Sequence, residues 1–189
     1  MHWPRYAYRL LVISLLEVAS TMTVREISAA VTVNGASFEI RAPSSWAVPK
    51  PGSETPVRLD LVLKNVSAGE LRFYGCSAAE ILLFGPDGKQ IIAFGGRNGF
   101  ARGPSPSPPV QPGESIVIEC LWKLLWEEPA HRLVLRGGNE LGDYWQFAPL
   151  PPGAYSVQAQ YYIGNSANQP DDMIWTGRIL SQPLLVAVE

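Results

Sequence analysis

Residues 56–65, PVRLDLVLKN, alternate between apolar and polar, with Val62 the one apolar residue on the polar side. Val57, Leu59, Leu61 and Leu63 fall on one side of an extended chain; Arg58, Asp60 and Lys64 fall on the other. A period of two marks a strand that buries one face, whereas a helix would spread these leucines round its circumference. The pattern recurs along the chain. In AYSVQAQYY, Tyr155, Val157, Ala159 and Tyr161 share a side; in ESIVIECLW, Ile116, Ile118, Cys120 and Trp122 do. AEILLFGPDGKQIIAF reads as strand, turn, strand about Pro86-Asp87-Gly88, and AVTVNGASFEI as a hairpin about Asn34-Gly35. Asn-Gly tolerates positive φ at both central positions, which a tight hairpin turn requires. DMIWTGRILSQPLLVAVE gives a closing strand or strand pair, broken near Ser181-Gln182-Pro183.

Short strands with frequent turn signals predict an all-β fold, an immunoglobulin-like antiparallel Greek-key β-sandwich of about 7–9 strands, with an insertion before the penultimate strand. The best helical candidate is LWKLLWEEPAH, in which Trp122 and Trp126 lie four apart and Pro129 ends the run. GPSPSPPVQPG, residues 103–113, has the composition of an extended proline-rich loop. The 17 prolines and 17 glycines fit many turns and little helix.

The segment LPPGAYSV precedes one of the alternating runs. It supplies what a tyrosine corner needs. Pro152 sets φ for a turn, Gly153 permits a positive φ, and Tyr155 points inward with its hydroxyl free to bond upstream backbone. A WW-domain ligand would need Pro-Pro-x-Tyr, and here two residues separate Pro152 from Tyr155.

A chain of 189 residues that is 47% hydrophobic and 17% charged can bury one sizeable core. The net charge of -2, with no basic run, offers nothing to neutralise nucleic-acid phosphates. No apolar stretch is long enough to predict a spanning helix. Residues 1–20 carry Arg5 and Arg9, the apolar run Leu10–Leu16 and Val18-Ala19-Ser20, a short signal-peptide pattern interrupted by Glu17. Alternatively Met22 is the start. Residues 1–24 are expected outside the fold and 25–189 form one domain, cytoplasmic if Met22 begins the protein and periplasmic or secreted if 1–20 is a signal peptide.

Chemistry is sparse. His131, in EEPAHRLVL, is the one imidazole outside the leader, and no nucleophile motif accompanies it, so no enzyme is expected. Cys76, Cys120 and His131 are too scattered for zinc, and Asp171-Asp172 lacks the alternating ligands of a calcium loop. FGGRNGFARG has glycines without phosphate-binding spacing. No metal or cofactor is expected. If the strand ending in Cys120 pairs antiparallel with 56–65, Cys76 falls at the opposite end from it, so free thiols are expected rather than a disulfide. Asn65-Val66-Ser67 matches a glycosylation sequon and also ordinary turn chemistry at a strand end.

The frame LVLKNVS with Asn65, PDG, NGF, QPGES, Trp122 and LPPGAYSV resembles the bacterial intracellular proteinase inhibitor family over Pro56 to Tyr162. The resemblance implies a small immunoglobulin-like sandwich that binds a protease. The family passes from the tryptophan to the corner in a few residues, whereas here residues 123–149 intervene.

A non-catalytic protein-binding module is therefore the expected function, proteinase-inhibitor-like in one version, using loop 95–113 and the aromatic insertion 123–149. Arg97, Phe100 and Arg102 would serve from a stiff proline-flanked loop, and Trp126, Tyr144 and Trp145 from an aromatic patch. The same aromatics could instead clamp the insertion onto a sheet. The alternative function is a structural or accessory domain of a bacterial envelope with no protease target.

Overall fold

The computed structural model describes residues 25–96, 105–128, 130–139, 141–164 and 172–189. Among them the chain is nearly all β, in two sheets that share one core. The first sheet holds β1 (Arg25–Ile27), β2 (Val31–Val33), β3 (Ala36–Pro43), β5 (Glu54–Asn65), β8 (Phe94–Gly96), β9 (Ser115–Glu127), β10 (Arg132–Gly138) and β11 (Tyr144–Phe147). Its order is β1-β3-β5-β9-β10-β11-β8, with β2 added to β3. The second holds β4 (Ser45–Trp46), β6 (Ala79–Phe84), β7 (Gln90–Ile91), β12 (Gly153–Ile163), β13 (Gly177–Leu180) and β14 (Leu184–Val188), in the order β4-β14-β12-β6-β7 with β13 on β12.

The expectation of about 7–9 strands is corrected to an 8-stranded and a 6-stranded sheet. Several extra strands span two or three residues and exist only because a longer neighbour presents free backbone groups. Pairing is not wholly antiparallel, since β4 runs parallel to β14.

The alternation in β5 folds as its pattern dictates. Val57, Leu59, Leu61 and Leu63 are buried against the other sheet, each worth roughly 1.5–3 kcal/mol of transfer free energy. Asp60, on the far face, is also buried, under Arg25 (3.0 Å) and Arg58 (2.6 Å), and Arg58 reaches on to Glu119. The Asn34-Gly35 turn joins β2 to β3 with φ of 48° and 76°, both positive. Asn65 is fully buried where β5 ends. Its amide donates to the carbonyls of Gly69 and Val110, and its Oδ1 accepts from the Ser67 backbone and hydroxyl. That is turn chemistry, with no surface offered to a glycan.

The tyrosine corner forms. Gly153 has φ 157°, Tyr155 is buried, and its hydroxyl donates to the Pro151 carbonyl at 2.5 Å. Burial raises the Tyr155 phenol above its ordinary pKa.

Two local expectations fail. LWKLLWEEPAH is not a helix: β9 runs straight on to Glu127, with Cys120, Trp122, Leu124 and Trp126 alternating inward. Nor are the cysteines free. Cys76 and Cys120 form a disulfide with Cα atoms 6.2 Å apart. Because β9 is longer than its alternating sequence implies, Cys120 sits mid-strand opposite Leu59 rather than at an end. The chain after Asn65 also doubles back. Leu71 pairs with Val110, and Tyr74 exchanges hydrogen bonds with the Tyr161 hydroxyl. Residues 66–75 thus carry Cys76 to the level of Cys120, and the bond ties the start of β6 to the first sheet.

Candidate functional site

The insertion 123–149 is built into the first sheet. It supplies the end of β9, all of β10 and all of β11, and β8 closes the edge. One inward-facing row crosses five strands: Val57, Trp122, Gly137, Trp145 and Gly95 are successive register partners. Large and absent side chains alternate along it. A Cβ on Gly137 would lie 2.2 Å from Cδ2 of Trp122, and one on Gly95 would lie 2.5 Å from Cδ1 of Trp145. The Trp122 ring therefore lies over Gly137, and the edge of the Trp145 ring, together with the Tyr144 carbonyl, crowds Gly95. Phe147 packs beside Trp122 with ring centroids 5.7 Å apart.

β10, β11 and β8 stop at Gly138, Tyr144 and Gly96, whereas β9 and β12 extend further. Where they stop, a cleft of about 350 Å3 opens between the sheets. Trp122, Trp145 and Phe147 form its first wall; Ala79 and Ile81 of β6 face them, and the Cys76–Cys120 bond borders it. Gln160 and Tyr162 also border it, and Glu80 is the single charged side chain among the described residues that do. Trp122 is 6% exposed, and its indole nitrogen, like that of Trp46, is buried and meets no acceptor among the described residues.

The predicted aromatic patch is divided by the sheet. Trp145 faces inward and lines the cleft. Tyr144 faces outward on the same strand and is 55% exposed, its ring against Gly96. Trp126 lies at the other end of β10, level with Leu133, where its indole donates to the Pro49 carbonyl at 2.8 Å. It holds the 47–53 connection onto the core. Phe94, 62% exposed, joins Tyr144 on the outer face of the edge strands; no sequence argument singled it out. Beside them Arg136 bonds Gln146 at 3.0 Å and reaches Glu127.

Arg97, Phe100 and Arg102 lie outside the described residues. The chain leaves toward them at Gly96, beside Tyr144, and is described again from Ser105. Pro152, Gly153 and Tyr155 sit at the far end of β12 from the cleft, as structural residues. His131 is in the exposed turn before β10, with Glu128 at 3.0 Å, also away from the cleft. Among the described residues no group of three or more His, Cys, Asp or Glu side chains could hold a metal ion, and no helix is long and apolar enough to cross a membrane.

No family model matches the chain, and no curated protein does. Among solved structures, the chain is similar to a conserved hypothetical protein from Bacillus anthracis, at 8% identity and a TM-score of 0.29, over 66% of this chain and 97% of that one. A likeness at that score carries no argument about fold or function.

Proposed function

We propose that the chain is a non-catalytic, immunoglobulin-like protein-binding domain that takes its partner on the outer face of β8 and β11. The observation that carries this is the pair Phe94 and Tyr144, exposed on the same face of two adjacent short strands at the sheet edge and diagonal to one another, Phe94 opposite Gln146 and Tyr144 opposite Gly96. Exposed aromatics anchor interfaces because they bury much area at little entropic cost. β8 ends the sheet order, so its outer backbone groups can extend pairing to a partner strand. The immunoglobulin-like assignment is supported by the Tyr155–Pro151 corner bond between two stacked sheets. A proteinase-inhibitor-like version would use the segment that leaves Gly96 beside this patch.

A second reading, an accessory domain of a bacterial envelope, is favoured by one observation. The Cys76–Cys120 disulfide suits an oxidising compartment, and so suits the signal-peptide reading of residues 1–20. The two readings are compatible, since an envelope domain can bind a protein.

The test is quantitative capture from the native host, wild type against the double variant Phe94→Ala, Tyr144→Ala. At least one protein held by the wild type should be depleted about tenfold or more on the variant, as expected for losing an aromatic anchor. Identical capture profiles would remove the proposed surface. Titration against serine proteases decides the inhibitor version: no inhibition at high micromolar concentration eliminates it.

A further inference from the structure

The two sulfurs of the Cys76–Cys120 bond stand in unequal surroundings. Cys120 is 4% exposed on the inner face of β9, packed into the core. Cys76 is half-buried and opens a one-turn 3-10 helix, Cys76–Ala78, that has no buried residue. Two openings meet there. One is the cleft between the sheets; the other is a shallow hollow of about 420 Å3 bordered by Gly75, Ser105, Glu119, Leu121 and Asn139. Cys76 borders both. A thiolate arriving from solvent therefore meets the Cys76 sulfur first, and attack on a disulfide depends on such access. The chain on either side of the turn is held without the bond. Before it, the Arg72 backbone bonds Met173 and Trp175, and the Tyr74 backbone exchanges hydrogen bonds with the Tyr161 hydroxyl. After it, Ala79 opens the β6 ladder opposite Tyr161. Within it, the Ala78 and Ala79 amides donate only locally, to the Gly75 and Cys76 carbonyls. Cutting the bond thus leaves both flanks in place and removes the covalent tie from the turn between them.

We propose that the Cys76–Cys120 bond is a redox latch on the folded domain: a dithiol reduces it by attacking Cys76, and the 75–78 turn is then freed at the border of the cleft while both sheets stay paired. A thiolate of the dithiol bonds to the Cys76 sulfur, and Cys120 leaves with the electron pair and takes up a proton. The second thiolate of the reductant then attacks its own sulfur in the mixed disulfide. That step closes the reductant's disulfide and releases Cys76, which is protonated in turn. Two electrons pass from the dithiol to the bond, and two cysteine thiols result. This reading goes beyond the protein-binding surface and does not depend on it.

The probe is dithiothreitol, applied to the oxidised full chain without denaturant, with the released thiols capped by a maleimide and counted by mass. Two labels per chain should appear, at a rate that rises in proportion to dithiothreitol concentration and changes little in urea below the unfolding transition. A rate that levels off with dithiothreitol and climbs steeply with urea would mean that the bond opens only through global unfolding, and would overturn the proposal. Nuclear magnetic resonance relaxation on the oxidised and reduced wild type reads the latch itself. On reduction, backbone order parameters for residues 75–78 should fall below about 0.6 while those of β5 and β12 stay near about 0.85. Unchanged values at 75–78, or collapse of peak dispersion throughout, would overturn it. The single-cysteine variants decide which sulfur is attacked. With folding checked by near-ultraviolet circular dichroism, Cys76 in Cys120→Ala should react with 5,5′-dithiobis(2-nitrobenzoic acid) at least about tenfold faster than Cys120 in Cys76→Ala. Equal or reversed rates would remove Cys76 as the point of attack. The kinetics and relaxation of the wild type test the latch even where a variant fails to fold.

Discussion

Breaking the bond between Cys76 and Cys120 should cost this fold a large part of its stability. The two residues are 44 positions apart in sequence. In the chain-entropy account, cross-linking a loop of that length removes about 13 cal/mol/K from the unfolded ensemble, or about 4 kcal/mol at 25 °C. The native geometry adds a reason to expect the full effect. The bond joins the first sheet, at mid-β9, to the start of β6 in the second, so its loss loosens the contact between layers as well as the unfolded chain. Unfolding in urea, followed by tryptophan fluorescence, should compare oxidised protein with the double variant Cys76→Ala, Cys120→Ala. The midpoint should fall by an amount equivalent to about 3–4 kcal/mol, and the thermal midpoint by roughly 6–16 °C for a domain of this size. The denaturant slope should rise, because the unlinked chain exposes more surface when unfolded. Two outcomes would refute the reasoning. One is a stability difference below about 1 kcal/mol, which would mean the bond constrains little. The other is two thiols titrating in unreduced, denatured protein, which would restore the free cysteines expected from sequence.

Tyr155→Phe removes the hydroxyl that bonds Pro151 and should destabilise by about 1 kcal/mol without altering the fold, measured by the same urea midpoint. The phenol of Tyr155 titrates above its unfolded value because burial disfavours the phenolate, so its contribution is complete below about pH 10 and is lost as pH rises through the folded pKa. Stability of the wild type should therefore fall in that alkaline window more steeply than that of Tyr155→Phe; parallel profiles would contradict the assignment. Gly137→Ala places a methyl 2.2 Å from the Trp122 ring and should cost about 1–3 kcal/mol through forced displacement of the indole, visible as a changed near-ultraviolet circular dichroism spectrum.

What was legible in the sequence was what local chemistry decides. Asn34-Gly35 sets its own backbone, and the structure has both residues at positive φ. The alternation of β5 and β12 assigns their faces without reference to any partner. The corner at Tyr155 needs only the turn just before it. The failures share another cause. Trp122 and Trp126 are four apart, a spacing that satisfies a helix and a strand equally, and only pairing with β5 and β10 decides between them. Cys76 meets Cys120 because residues 66–75 double back, a path set by contacts with Val110 and Tyr161 far along the chain. The shortest strands could not be read at all, since two residues carry no period.

The candidate site was hidden for the same reason, carried further. Its row takes one residue from each of five strands, so no stretch of sequence contains two consecutive members. The aromatic content of the insertion merged three placements that the structure separates: Trp126 as a clamp, Trp145 as a cleft wall and Tyr144 as exposed surface. The informative residues were the glycines. A glycine within a strand weakens it by roughly 0.5–1 kcal/mol relative to alanine, and β-branched residues would serve β10 and β8 better. Gly137 and Gly95 accept that cost at the two places where the sheet must leave room for an indole.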